Sequence, residues 1–143
     1  MFKLKNRFGT KISTVTGRGK FAFSYSMKNF LDDFDMENSV FLEDRPLNLA
    51  KPNPESLIES ISKITSKCSL YIGDSMEDLL MVQKCQEQGY DVSFCGIYGS
   101  SDEPKLKYEL FKKNDAPFIL ESIQELQKAL NLVWWKLNKY HET

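Results

Sequence analysis

The chain reads as an α/β fold, a parallel sheet covered by helices on both faces, and three observations predict it. Short apolar or β-branched runs recur at 11–16, 39–44, 68–74, 92–99 and 118–120. Segments with apolar residues at three- and four-residue spacing come between them. Proline and glycine punctuate several of the changeovers.

KISTVT (11–16) predicts a first strand, and Phe23, Met27, Phe30, Leu31 and Phe34 recur at helical spacing after it. SVFLED (39–44) predicts a second strand. Past Pro46, the stretch KPNPESLIESISKIT opens a helix at Pro54 and places Leu57, Ile58, Ile61 and Ile64 on one apolar face. CSLYIGD (68–74) is a continuous apolar run, as expected of a strand buried on both faces. A helix over 76–88 follows, with Leu79, Val82 and Cys85 inward and Gly89 as its stop. VSFCGIYG (92–99) gives a further strand, a short helix lies around 106–111, and FIL (118–120) makes a last strand. Ser122 then caps a helix carrying Ile123, Leu126, Leu130, Val133 and Leu137, whose apolar surface Trp134, Trp135 and Tyr140 broaden. The fold class is therefore Rossmann-like, and its functional residues should lie just beyond the carboxyl ends of strands.

At 143 residues, without repeats or Pro/Gly/Ser linkers, the chain is the size of one domain spanning 1–143. Nineteen basic residues against twenty acidic ones, well mixed, leave no footprint for nucleic acid or an anionic membrane surface. Cys68, Cys85 and Cys95 match neither a disulfide framework nor a zinc site, and are expected to be buried, reduced thiols in a cytoplasmic protein. The residues after Met1, FKLKNRF, are too charged for a signal peptide, and no apolar run approaches the ~20 residues that span a bilayer.

Three predicted strand ends carry chemistry. Thr16 and Gly17, followed by Arg18, offer a hydroxyl and an unshielded backbone N–H, a pairing that suits a phosphate oxygen. Lys51 stands in a constrained turn, between Ala50 and Pro52, where a cation can be held toward the same edge. Asp74 ends the 68–74 run and Asp78 falls one turn into the next helix, so the two carboxylates can face one point, as a hard cation such as Mg²⁺ requires. Each feature also has a plain structural reading: Thr16 as a helix cap, Lys51 as a solvated surface charge, Asp74 as a cap and Asp78 as a first-turn acid.

Taken together, TVTGRGK (14–20), LEDRP followed by KPNPESL (42–57) and YIGDSMEDLLM (71–81) resemble the haloacid dehalogenase superfamily, in its phosphatase branch. The stretch at 95–130 is similar to the end of that family's core, and the likeness covers about residues 8–130. The resemblance implies a Mg²⁺-dependent hydrolase of a small phosphomonoester. Thr16 and the Gly17 amide would bind the phosphoryl group, Lys51 would neutralise it and the nucleophile, Asp74 would hold Mg²⁺, and Asp78 would support the metal directly or through water. Phosphoryl transfer depends mostly on positioning and charge neutralisation, which these groups supply.

The family's nucleophile, an aspartate in an Asp-x-Asp motif ending a central strand, has no counterpart before Thr16, since MFKLKNRFGT contains no aspartate. Asp33-Phe34-Asp35 lies after the threonine motif and reads as a polar helix-end loop. The chain is thus expected to hold the family's second to fourth motifs, the C-terminal part of the core, without its central nucleophile strand or cap. Alone it is expected to be inactive. Either another polypeptide supplies the missing strand, or the strands at 11–16 and 69–73 pair directly, and self-association is favoured. Two alternatives stand beside this. The chain could be a non-catalytic interaction module anchored by Trp134, Trp135 and Tyr140. GDS at 73–75 also resembles GDS-type serine esterases, with Ser75 as nucleophile, but the lone His141 lies beyond the last helix and Asn138, not aspartate, precedes it by three.

Overall fold

The computed structural model describes residues 12–65 and 67–130. Lys11, Val133, Trp134, Trp135, Leu137, Tyr140 and His141, which the sequence reading uses, lie outside the described residues. The elements are β1 (Val15–Thr16), α1 (Lys20–Ser26), β2 (Val40–Phe41), α2 (Glu55–Ile64), β3 (Ser69–Gly73), α3 (Met76–Glu87), β4 (Val92–Ile97), α4 (Pro104–Lys113) and β5 (Phe118–Leu120). Short 3₁₀ turns stand at Leu31–Asp33, Leu42–Asp44, Leu47–Leu49 and Ile123–Glu125. The architecture is α/β, with two small parallel sheets, β1-β2 and β3-β4-β5, where the sequence predicts one. Direct pairing of β1 with β3 is not among the described ladders.

The chain forms two compact units. One takes in the described residues up to Tyr71 together with Ser75–Ser93, the other Ile72–Asp74 and the described residues from Phe94 onward.

In the first unit, β1 and β2 align Val15 with Val40 and Thr16 with Phe41. The predicted six-residue strands shrink to two residues each because the neighbouring backbone bonds elsewhere. Asp35 N–H donates to the Ile12 carbonyl (2.6 Å), and Thr14 N–H donates to the Ser39 hydroxyl (3.1 Å). The predicted 39–44 strand turns into 3₁₀ at Leu42, where Arg45 N–H donates to the Leu42 carbonyl at 3.0 Å. The helix expected over 23–34 stops at Ser26, and the chain returns so that the Phe34 ring meets Phe23 edge-on at 5.3 Å. Helix α2 packs against β1, β2 and α3. Val40 is fully buried among these elements, and such burial is worth roughly 1.5–3 kcal/mol per aliphatic side chain. A serine pair crosses the core polar gap: Ser60 Oγ donates to the Asn38 carbonyl (2.8 Å) and lies 2.8 Å from Ser13 Oγ.

Strand β3 is half-buried along its whole length, not covered on both faces as its apolar sequence predicts, because it stands at the edge of its sheet. In the second unit β4 and β5 align Cys95 with Phe118 and Ile97 with Leu120. Phe94 and Phe111, both fully buried, meet at 5.5 Å beneath them. Gly96 is needed there, since a Cβ would come within 2.7 Å of the Phe111 ring. Past the ladder, Gly99 N–H donates to the Glu121 carbonyl at 2.9 Å, so close that a Cβ on Gly99 would sit 2.4 Å from that oxygen. Residues 126–130 begin the last predicted helix. Cys85 and Cys95 are buried as expected, but Cys68 is exposed: it precedes β3 and belongs to no buried face.

Candidate functional site

Helix α3 builds the first part of the site by its own capping. Ser75 is the N-cap; its hydroxyl accepts from Asp78 N–H (3.1 Å), and the Asp78 Oδ2 accepts from Ser75 N–H (3.2 Å) and Ser75 Oγ (2.8 Å). This reciprocal capping box fixes the Asp78 carboxyl at the start of the helix. Asp74, the alternative cap, does not serve as one.

The other oxygen of Asp78 is held by side chains from different elements. Lys51 Nζ donates to Asp78 Oδ1 at 2.6 Å and to the Tyr71 hydroxyl at 2.9 Å. Tyr71 Oη lies 2.9 Å from Asp78 Oδ1 and 3.2 Å from the carbonyl of Val15, the residue before Thr16. The Lys51 nitrogen also lies 5.6 Å from the Tyr71 ring centroid. Lys51 follows the 3₁₀ turn at Leu47–Leu49 and is joined to Pro52 by a cis peptide bond. Its side chain is only 17% exposed, which rules out a solvated surface lysine.

Asp78 is 3% exposed. Burial pushes its pKa up, but hydrogen bonding and charge from Lys51, then the Ser75 and Tyr71 hydroxyls, outweigh it and hold the carboxyl below its ordinary value. Asp78 is therefore a carboxylate at neutral pH, and a buried one that depends on its cation.

At the end of β1, Thr16 does not cap a helix. Its Oγ1 accepts from Arg18 N–H at 3.3 Å, and the N-cap of α1 is Gly19. Two amides at that helix start are satisfied from 24 residues away: Gly19 N–H donates to Glu43 Oε2 (2.6 Å) and Lys20 N–H to Asp44 Oδ2 (2.7 Å). Gly17 remains open, with nothing within 4 Å of where a Cβ would stand.

The structure thus joins the tip of β1 beside Thr16, Lys51 and Asp78 through the Tyr71 phenol. Tyr71 was not legible as a site residue, since it sits inside an apolar run and reads as core. Asp74 belongs to the second unit, where it is exposed and helps line a cleft of about 640 Å³ with Ser100, Glu121, Ser122 and Glu125.

Fit to Mg²⁺ differs between the two acids. Lys51 Nζ and the Tyr71 hydroxyl lie against Asp78 Oδ1, and Ser75 N–H and Oγ against Oδ2, so a cation approaching this carboxylate directly would compete with these contacts. The exposed Asp74 carboxyl has the accessibility a hydrated Mg²⁺ requires. Among the described residues, no group of three or more His, Cys, Asp or Glu side chains is placed to hold a metal ion. Any Mg²⁺ would then lean on water and substrate oxygens for most of its coordination. Ser75 donates its hydroxyl proton to Asp78, and no histidine stands among the described residues, so nothing there activates it as a nucleophile.

No family model matches this chain, and neither a curated protein nor a solved structure does.

Proposed function

We propose that this chain is the phosphate- and magnesium-binding part of a phosphohydrolase core of the haloacid dehalogenase type, acting on a small phosphomonoester. The observation that carries the reading is the half-buried Lys51 ammonium, pinned by Asp78 and by Tyr71, whose hydroxyl also reaches the carbonyl of Val15, the residue before Thr16. An ammonium has three N–H donors, and two are engaged here, which leaves one for a phosphoryl oxygen. Thr16 Oγ1 and the Gly17 N–H are the further donors, and Asp74, in the other unit, is the acid accessible to a hydrated Mg²⁺. Bound Mg²⁺ would supply charge neutralisation on the phosphoryl oxygens. Asp78 serves by holding Lys51, which replaces the metal contact the resemblance implies for it.

Two separate parallel sheets, with β1 and β3 in different ladders, are what a core without its central strand would give. Asp33 ends a 3₁₀ turn, and Asp35 accepts from Asn38 N–H (3.3 Å) and Nδ2 (2.8 Å), so this pair is engaged in local structure. An aspartate nucleophile would come from elsewhere, and the chain by itself binds phosphate without releasing it from esters.

Isothermal titration of the chain with inorganic phosphate in MgCl₂ tests this. Binding that Lys51→Met abolishes is expected; heats that Lys51→Met leaves unchanged would remove the reading. Phosphate release from a phosphomonoester panel by the chain alone would contradict the assignment of an external nucleophile.

A further inference from the structure

We propose that Tyr71 is a positioning residue for Lys51, a role that neither its sequence context nor the phosphoryl-binding reading assigns. The proposal rests on that reading for its purpose, but its physical content can be measured without it.

The Tyr71 oxygen accepts from Lys51 Nζ, so its single proton can be given either to Asp78 Oδ1 at 2.9 Å or to the Val15 carbonyl at 3.2 Å. One hydroxyl therefore joins three groups from three parts of the fold: the end of β1, the lysine turn and the start of α3. Two consequences follow from this geometry. First, Lys51 is held by two acceptors and not by Asp78 alone, which fixes the direction of its ammonium. Second, Asp78 Oδ1 has a second donor. If Lys51 shifts toward an incoming anion, the phenol can donate its hydrogen bond to the buried carboxylate, which lowers the cost of leaving it short of a partner. A phenylalanine would fill the same volume and do neither.

The experiment uses the full chain with ¹⁵N-labelled lysine, following the Lys51 ammonium signal, identified by its loss in Lys51→Met. In Tyr71→Phe that signal should exchange with water at least about fivefold faster, while the Ser75 and Asp78 backbone amides keep their positions because the capping box does not involve Tyr71. Inorganic phosphate in MgCl₂ should bind about tenfold more weakly. Unchanged ammonium exchange in a folded Tyr71→Phe chain overturns the proposal. If the parent chain binds no phosphate, the functional reading fails, and ammonium exchange still decides the role of Tyr71. Should Tyr71→Phe not fold, 3-fluorotyrosine in place of tyrosine supplies the second measurement. The ¹⁹F resonance of residue 71 is expected to shift in Lys51→Met, and a resonance that does not move overturns the proposal equally.

Discussion

Lys51 Nζ and Asp78 Oδ1 lie 2.6 Å apart with the lysine side chain 17% and the aspartate side chain 5% exposed, an ion pair taken largely out of water. Such a pair adds little net stability over an apolar replacement, yet breaking it strands a buried charge. Lys51→Met is therefore expected to cost about 3 kcal/mol in urea unfolding, and Lys51→Met combined with Asp78→Asn less than the sum of the two single changes. Additive losses would show that the two groups do not depend on each other.

The same pair sets a pH dependence. Because the folded Asp78 pKa lies below its ordinary value, the associated stability is complete above the ordinary carboxylate pKa and disappears as pH falls through the lowered one. In Lys51→Met the largest opposing influence is gone and burial dominates, so the Asp78 pKa should move upward. Carboxyl ¹³C shifts against pH measure this directly, and an Asp78 curve that stays in place would contradict it.

A second carboxylate acts on the acid side. Glu59 accepts from Arg45 at 2.5 and 2.9 Å and from Lys63 at 2.6 Å, which lowers its pKa from 4.5 to about 2. Its contribution is present above pH 4.5 and is lost on acidification toward pH 2. With its side chain 29% exposed, solvent screening reduces it to about 1 kcal/mol. Arg45→Met should flatten the acid limb of the stability profile over that window.

Thiol reactivity should single out one cysteine. Burial raises the Cys85 and Cys95 pKa values to about 11, which leaves a thiolate fraction on the order of 10⁻³ at pH 8. Cys68 is exposed. Ellman's reagent should titrate one thiol per native chain rapidly, and none in Cys68→Ser.

Close backbone approach makes Gly99 intolerant. Gly99→Ala would press a methyl group onto the Glu121 carbonyl and break the bond that continues the β4-β5 ladder, at a cost of about 2–4 kcal/mol. Gly96→Ala meets the Phe111 ring instead, a side chain that can shift slightly, and should cost about 1–3 kcal/mol. Thermal denaturation of the two variants gives the order.

What the sequence made legible was the kind and order of elements. Pro54 and Gly89 marked helix boundaries that the structure reproduces to within a residue or two, and FIL at 118–120 is a strand over those residues. Strand length was not legible, because it depends on partners: the backbone around Ile12 and Thr14 bonds to a turn and to a serine hydroxyl. Lys51 and Asp78 were picked out by position at element ends, and the structure brings them together. The ion pair between them is not legible in sequence, since spacing along a helix shows which acids share a face and not which cation lies opposite. Tyr71 was hidden because its ring is apolar and only its oxygen takes part. Glu43 and Asp44 were hidden by distance along the chain.

Those last two acids bear on how the chain acquires its shape. Helix α1 has seven residues and no side-chain cap of its own, and isolated helices that short do not persist in water. Its opening amides wait for carboxylates 24 positions downstream. The short helix is therefore expected to gain stability only once the chain extends through Asp44. A peptide ending before Glu43 should show the circular dichroism of a random coil, and one extended through the 3₁₀ turn at Leu42–Asp44 is the earliest in which the helix can begin to form.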